Sequence, residues 1–310
     1  MNMDSSPLLV SVPTPSLLEA FGQTTSEVQF LEWDMSQSAP TTHIDIVVPP
    51  YMGSAKLLEQ LARVSTRLVQ SQSVGYDGVL ESLPPGHVFA NAAGVHETST
   101  AELALALILA SQRGIPQFVR DAEQGRWRSE QHPSLADRTV LLVGFGGVGH
   151  AIENRLLPFE TVVIRVARNA RTDQRGPVHG FSDLAELLPG ADIVVVAVPL
   201  SEATTHLIDD SFLSRMHDDA LLVNVSRGLV ADTRALVAHA TRGRLRFALD
   251  VTDPEPLPDG HSLFALGNVL ISPHVGGATS AMLPRMVRLL KLQIERMMHG
   301  DDPVNVVLRS

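Results

Sequence analysis

The sequence predicts an α/β fold with two domains, each built on a doubly wound parallel sheet. Short apolar strands alternate with helices before residue 95 and again after residue 138, which is the spacing of parallel sheets covered by helices. A long apolar helix separates the two series, and the last helix and tail have no sheet partner of their own. We therefore expect one domain at residues 96–284 and a discontinuous one at residues 1–95 plus 285–310.

The first series begins with the apolar strand Leu8–Val12. A helix follows at Leu17–Phe21, ended by Gly22, and a second helix at Ala55–Val64 is capped by Ser54. The other strands of this series are predicted at Val28–Trp33, Ile44–Val48, Leu68-Val69 and Val88–Ala90.

Two helices, Thr98–Gln112 and Pro116–Trp127, precede the second series. The first is apolar nearly all round, so it must be buried against more than one neighbour. A final amphipathic helix runs from Ala278 to about His299, and we expect the tail after it to return to the first domain. Between them the predicted strands are Thr139–Val143, Thr161–Ala167, Val178-His179, Asp192–Val198, Ala220–Val225, Phe247–Val251 and Val269–Ser272, with helices at Asp183–Leu188, Asp209–Met216 and Asp232–Arg242.

Composition excludes several classes of function. The chain has 310 residues, a net charge of −10 and no cysteine, so disulfides, thiolate metal sites and cysteine nucleophiles are ruled out. It has no long basic tract, and its apolar runs are far shorter than a membrane span, so we expect neither nucleic acid nor a membrane as partner. No basic region precedes an apolar run at the N-terminus, as a signal peptide would require. We expect a cytoplasmic protein without a metal site.

The stretch Arg138–Arg168 is typical of a dinucleotide-binding unit. A strand leads into Gly144-Phe145-Gly146-Gly147-Val148-Gly149, and a helix and a second strand follow within about 30 residues. Gly144 permits the tight turn, Gly146 lets the backbone approach a pyrophosphate, and Gly149 allows close helix packing. The alternative is a glycine-rich turn in another kind of α/β protein. The motif predicts a Rossmann-type nucleotide domain.

The residues after the second strand indicate which dinucleotide is preferred. The position that holds an acidic residue in NAD sites falls at Ala167 or Arg168, and no carboxylate occurs before Asp173. Arg168 and Arg171 could grip a 2′-phosphate, which a carboxylate would repel. We predict a preference for NADP(H), with NAD(H) still possible. The alternative is that both arginines are solvated loop charges.

Three later strands are each followed by a residue suited to catalysis. Arg227, Glu255 and His274 come just after apolar strands, where parallel sheets bind ligands. Arg227 could bind the carboxylate of a 2-oxo acid, and His274 could protonate the ketone oxygen as hydride reaches the carbon. Glu255 could pair with His274 and favour its charged form. Each residue alone would be ordinary, so the prediction depends on their joint placement after a dinucleotide motif.

These segments together resemble the D-isomer-specific 2-hydroxyacid dehydrogenases. The resemblance extends from about residue 70 to 280. It is carried, in family order, by Ser73-Val74-Gly75-Tyr76-Asp77, Ala101-Glu102-Leu103-Ala104-Leu105, the glycine motif, Val198-Pro199-Leu200, Asn224-Val225-Ser226-Arg227-Gly228, Asp250-Val251, Glu255-Pro256-Leu257-Pro258 and Ser272-Pro273-His274-Val275-Gly276-Gly277.

The resemblance implies roles for particular residues. Arg227, Glu255 and His274 would be the catalytic trio, and the backbone of Val74 and Gly75 would hold the substrate carboxylate. Asp250 would bind the nicotinamide carboxamide. It also implies a flavodoxin-like substrate domain and a homodimer packed around Thr98–Gln112. The remaining cofactor contacts would come from the glycine motif and from Val198, Pro199, Thr204, Val225, Ser226 and Gly276.

Departures from the family pattern refine the prediction. The missing acidic residue resembles the NADP-using glyoxylate/hydroxypyruvate reductases, whereas Leu103 replaces a common histidine and Gly78 a common polar residue. The leading hypothesis is reduction of a small 2-oxo acid to a D-2-hydroxy acid. The alternatives are an NAD(P)-sensing, corepressor-like interaction protein, or phosphite or phosphoglycerate oxidation on the same scaffold. The segment Pro49–Met52 could face the substrate or form a rigid loop beside a strand end.

Overall fold

The computed structural model describes residues 6–21 and 24–310. The chain forms two units, one of Met1–His96 with Ser280–Ser310 and one of Glu97–Thr279. We call these the first and the second unit. From the sequence, we predicted the boundaries between the two units at 95/96 and 284/285. The later boundary lies five residues earlier in the structure, because the whole of the last helix, including its first turn, belongs with the first unit.

Apart from β8 and β14, which were not predicted as strands, the strands of the described residues lie close to their predicted positions. They are β1 (Leu8–Val12), β2 (Val28–Glu32), β3 (Ile46–Val47), β4 (Leu68–Gln70), β5 (Val88–Ala90), β6 (Thr139–Val143), β7 (Val162–Val166), β8 (Arg171–Asp173), β9 (Gly176–Val178), β10 (Ile193–Val196), β11 (Leu221–Asn224), β12 (Arg246–Leu249), β13 (Val269–Ile271) and β14 (Val306–Arg309).

The α-helices cover the faces of the sheets or connect the strands. None of those described is long and apolar enough to cross a bilayer. They are α1 (Pro15–Phe21), α2 (Val79–Ser82), α3 (Glu97–Gln112), α4 (Ile115–Glu123), α5 (Gly147–Leu156), α6 (Leu184–Leu187), α7 (Asp210–Arg215), α8 (Thr233–Thr241) and α9 (Met282–His299).

The first unit contains a sheet in the order β14-β5-β4-β3-β1-β2. Its first five strands in sequence are parallel and follow the flavodoxin-like order 2-1-3-4-5. Helices α1 and α9 bury one face, and the 3₁₀ helix Ala55–Arg63 buries the other. The tail returns as β14, antiparallel to β5, which confirms that expectation.

The second unit contains a fully parallel sheet in the order β13-β12-β11-β10-β6-β7. His179 forms a single parallel bridge with Val166 on the far side of β7. With this bridge as a reduced third strand, the order is 3-2-1-4-5-6-7, which is the 3-2-1-4-5-6 order of Rossmann domains with β13 added as a seventh strand. Alternate residues of β6 and β10 enter separate cores on the two faces, so both faces are covered. The fold class is confirmed.

Several local predictions were wrong. Ala55–Arg63 is a 3₁₀ helix rather than an α-helix, although Ser54 does cap it. Helix α4 ends at Glu123, four residues before the predicted end, because Gly125 takes a positive φ. Residues 171–178 form the hairpin β8–β9 rather than a loop with one short strand. The predicted stop at Gly22 lies outside the described residues.

Candidate functional site

The glycine turn, Gly144–Gly149, joins β6 to α5 at the point where the strand order of the second unit reverses. A Cβ on Gly144 would lie 2.4 Å from the Ala197 carbonyl oxygen, and a Cβ on Gly149 would lie 2.1 Å from the Gly144 carbonyl oxygen. Both positions therefore require glycine for packing. A Cβ on Gly146 would meet nothing within 4 Å among the described residues, so only an incoming ligand would demand glycine there.

Phe145, inside this turn, is buried and lies against an imidazole and two guanidinium groups. Its ring lies 4.0 Å from the His150 ring, and the guanidinium carbons of Arg165 and Arg171 lie 5.2 and 5.9 Å from its centroid. Arg171 also donates a 3.0 Å hydrogen bond to the Phe145 carbonyl oxygen. Arg168 is exposed and has no ion pair within the described residues. Of the two predicted arginines, therefore, only Arg171 is tied to the glycine turn.

A network of charges fixes the hairpin that carries Arg171. The buried Arg165 on β7 donates to Asp173 at 2.9 and 3.1 Å and lies 3.6 Å from Glu153 on α5. Arg175 donates to Glu153 at 2.7 Å. The backbone N–H of Arg175, with the Arg165 guanidinium, lowers the pKa of Asp173. Helix, strand and hairpin are therefore connected by alternating charges.

The segment after β10 lies opposite the glycine turn. Val198 is buried, and Pro199 is exposed. Thr204, predicted to lie along a cofactor, is 1% exposed, and its hydroxyl donates to the Pro199 carbonyl at 2.7 Å. It also accepts from the Ser201 N–H at 2.8 Å. The Thr204 side chain therefore shapes this loop from inside rather than presenting itself to a ligand.

Asn224 organises the turn that carries Arg227. The Asn224 side chain is fully buried at the end of β11 and accepts from the Ser226 N–H and hydroxyl at 3.0 and 2.8 Å. Its amide donates to the Arg227 carbonyl at 3.2 Å. Val225 and Ser226 are buried, and Arg227 is half-buried with one guanidinium hydrogen bond to the Ser226 carbonyl. This role of Asn224 was not predicted from the sequence, although a polar residue at the end of an apolar strand could have indicated it.

The Asp250 carboxylate, 3% exposed after β12, organises the segment that carries His274. It accepts from the Ser272 hydroxyl at 2.7 Å and from the N–H groups of Val275 and Gly276 at 2.9 and 3.0 Å. Its own carbonyl accepts from the His274 N–H at 2.8 Å. Asp250 therefore positions the loop that carries His274, the predicted general acid. A Cβ on Gly276 would lie 2.9 Å from the Asp250 carboxylate.

His274 and Glu255 are brought together from separate strand ends. The His274 Nδ1 hydrogen bonds the Glu255 Oε1, and the two side chains are 24% and 37% exposed. His274 takes a positive φ of 52°, a conformation that non-glycine residues seldom adopt. Its Nε2 has no partner in the described residues. The imidazole is thus held at one nitrogen and available at the other.

The first unit holds Val74 and Gly75 just after β4. The Val74 carbonyl accepts from the Asn91 side chain at 2.9 Å, and Gln72 donates to the Pro49 carbonyl at 2.9 Å. Neither the Val74 N–H nor the Gly75 N–H has an acceptor among the described residues. Two N–H groups in a held loop are suited to a carboxylate. Tyr51 stacks on His96 at 5.5 Å.

Comparisons with known proteins identify the family. Residues 105–276 match the NAD-binding domain of the D-isomer specific 2-hydroxyacid dehydrogenases. The chain is 33% identical to a glyoxylate reductase of Thermofilum pendens over 257 residues, 79% of this chain and 76% of that protein. The chain belongs to the D-isomer specific 2-hydroxyacid dehydrogenase family. It is therefore an NAD(P)-dependent oxidoreductase.

Solved structures share the fold along nearly the whole chain. The TT0316 protein of Thermus thermophilus is 30% identical with a TM-score of 0.75, over 97% of this chain and 100% of that one. A family member from Xanthobacter autotrophicus, solved with NADPH and MES, is 25% identical with a TM-score of 0.80, over 98% and 99%. In our chain, the open backbone at Gly146 and the rigid turn around it fit a dinucleotide.

Proposed function

We propose that this protein reduces small 2-oxo acids to D-2-hydroxy acids, with NADPH as the preferred cofactor. The observation that carries the proposal is the Glu255–His274 pair, which leaves the His274 Nε2 available as a proton donor. This pair lies at the carboxyl ends of the parallel strands, where the glycine turn also lies and where parallel sheets bind ligands. The glyoxylate reductases among the relatives support a small substrate.

Each member of the trio has one task in this proposal. The bound nicotinamide supplies the hydride. Arg227 holds the substrate carboxylate with two parallel hydrogen bonds, for which a guanidinium is better shaped than an ammonium. His274 donates a proton from Nε2 to the ketone oxygen, and Glu255 accepts from Nδ1, which fixes the ring orientation and favours the charged imidazole.

The dinucleotide would be held by the turn Gly144–Gly149 and by the start of α5. The N–H groups at a helix N-terminus and the dipole of the helix favour phosphate there. Arg171, tied to the Phe145 carbonyl, and the exposed Arg168 would bind the 2′-phosphate of NADPH. The Xanthobacter relative with bound NADPH supports this preference. Val74 and Gly75 would offer their backbone N–H groups to the substrate carboxylate.

A homodimer packed around α3 is the proposed assembly. The side of α3 that carries Ala106, Leu109 and Ala110 forms a shallow groove with Ile115 and Phe118, which are 47% and 37% exposed. Exposed apolar surface of this kind usually marks a protein contact.

The proposal is tested by the loss of reduced-nicotinamide absorbance with the purified protein. NADPH and NADH would be compared against glyoxylate, hydroxypyruvate, pyruvate and phenylpyruvate, with chiral analysis of the product. We expect turnover with NADPH on at least one oxo acid and a D product. Turnover with NADH alone would contradict the cofactor preference. The absence of turnover on every acid would contradict the proposed reaction.

A further inference from the structure

We propose that His150 is a third ligand of the cofactor 2′-phosphate and that its protonation strengthens NADP(H) binding relative to NAD(H). This inference rests on the proposed function, because it assumes that the glycine turn holds a dinucleotide. His150 lies in the first turn of α5 and is exposed. No part of the catalytic proposal uses it.

The first step of the argument is the contact between His150 and Phe145. Their rings lie 4.0 Å apart with a 43° tilt, so the imidazole is placed against the glycine turn. Phe145 is 5% exposed, and Arg171 lies against the same ring while donating to the Phe145 carbonyl. A single buried side chain therefore positions both an imidazole and a guanidinium.

The second step concerns where the 2′-phosphate would lie. In Rossmann domains the adenosine ribose is recognised at the end of the second strand of the βαβ unit, here β7. Arg168 lies two residues after the end of β7, and Arg171 begins the hairpin β8–β9. Because Phe145 connects Arg171 to His150, the imidazole lies on the α5 side of this phosphate region.

The third step concerns the charges around His150. Arg165 and Asp173 form an ion pair, and Arg175 pairs with Glu153 on the helix that carries His150. These four side chains largely compensate one another. Asp173 also acts electrostatically on His150, and a Cβ on Gly147 at the start of α5 would lie 3.1 Å from the Glu97 carboxylate of α3. Arg171 has no carboxylate partner in the described residues, so its positive charge remains available to an anion. A dianionic phosphate would match Arg171 and a protonated His150.

Histidine side chains generally change charge between about pH 5 and 8, so this ligand would strengthen with falling pH. Arginine would not vary over that range. The phosphate also loses charge near pH 6, which opposes the trend and is the same for every protein variant. The comparison between His150 variants therefore isolates the imidazole.

The test is isothermal titration calorimetry of the full chain with NADP⁺ and with NAD⁺ at pH 6.0, 7.0 and 8.0. We expect His150→Gln to lower the ratio of NAD⁺ Kd to NADP⁺ Kd by about three- to tenfold at pH 6.0, the effect of one partly exposed charge, and by less at pH 8.0. His150→Arg should keep a high ratio at all three pH values. His217→Gln is the matched control, because His217 lies at the opposite end of the strands of the same sheet, and this variant should keep the native ratio.

An unchanged ratio in His150→Gln at pH 6.0, with both nucleotides still bound, would overturn the role of His150 and leave the proposed function standing. Equal loss of both nucleotides in the Gln and Arg variants would mean that His150 only supports the turn, and would also overturn it. Failure of the native protein to bind either nucleotide would instead contradict the proposed function itself.

Discussion

Gly228 lies directly against the backbone of Thr252. A Cβ on Gly228 would be 1.8 Å from the Thr252 carbonyl oxygen, which no packing adjustment of a side chain could relieve. The residue before Gly228 is Arg227, and Thr252 lies between Asp250 and Glu255. This contact therefore sets the separation between the turn that carries the predicted carboxylate-binding arginine and the loop that carries the partner of His274.

Replacing Gly228 by alanine should reduce both activity and stability. The two backbones would have to separate, and overpacking of this kind costs about 1–3 kcal/mol in the free energy of unfolding. Denaturant unfolding and kcat/KM would be measured. Gly190→Ala is the control, because a Cβ there would meet nothing within 4 Å in the described chain. A Gly228→Ala protein with native kcat/KM would contradict this prediction.

Replacing His274 by asparagine should lower kcat by about 10²–10⁴-fold, the usual contribution of a general acid. Glu255→Gln should lower it less and change the pH profile of kcat, because an amide no longer favours the charged imidazole. Steady-state kinetics from pH 5.5 to 9 would check both. Native kcat in His274→Asn would rule out its assigned role.

Replacing Asp250 by asparagine should disorder the segment that carries His274. The amide nitrogen would face one of the N–H groups of Val275 and Gly276, so a hydrogen bond would be lost and a donor left unpaired. We expect kcat to fall by at least about tenfold, as a loss of 1.4 kcal/mol or more would cause. Asp259→Asn, on an exposed loop residue, is the control. Equal kcat in both variants would argue against a positioning role.

The first unit should lose stability as the pH falls below about 6.5. Burial lowers the pKa of His87 from its ordinary value of 6.5. The unfolded chain therefore takes up a proton at a higher pH than the folded chain does. The stabilisation is complete above 6.5 and is lost as the pH falls through the folded pKa, at no more than about 1.4 kcal/mol per pH unit.

Denaturant midpoints of the native protein and of His87→Gln at pH 7.5, 6.5 and 5.5 would check this expectation. The midpoint of the native protein should fall more steeply with acid than that of His87→Gln. His299→Gln, at the exposed end of α9, is the control. Parallel pH profiles for the native protein and His87→Gln would show that His87 does not carry the effect.

A glutamate at Ala110 should convert the proposed dimer to monomers. Ala110 lines the mainly apolar groove beside α3, which Arg113 also lines, and burying a carboxylate in such a contact is unfavourable. Light scattering coupled to size exclusion would report the mass. Ala185→Glu, on an exposed position of α6, should keep the native mass. A native protein that is already monomeric would contradict the proposed assembly.

Much of this protein was determined by local sequence. The strands β1, β5 and β6 fall at their predicted residues because their apolar residues are flanked by clear turn signals. The glycine motif predicted the βαβ unit, because Gly144 and Gly149 have no sterically possible replacement at such a turn. The motifs around Arg227, Glu255 and His274 indicated the family, which the comparisons confirm.

The tertiary structure decided several polar contacts that the sequence did not predict. The pair of Glu255 and His274 was predicted, but nothing in sequence spacing gives the Asp250 carboxylate to the loop at Gly276 or turns Thr204 inward. The contacts of Glu255 with His274 and of Asp250 with Gly276 join residues from different strand ends, and parallel-strand register brings them together over separations that local propensity cannot encode. For the same reason, the sequence predicted Arg168 and Arg171 as equals. Only the hairpin β8–β9, fixed by Arg165 and Glu153, ties Arg171 to the glycine turn and leaves Arg168 in solvent.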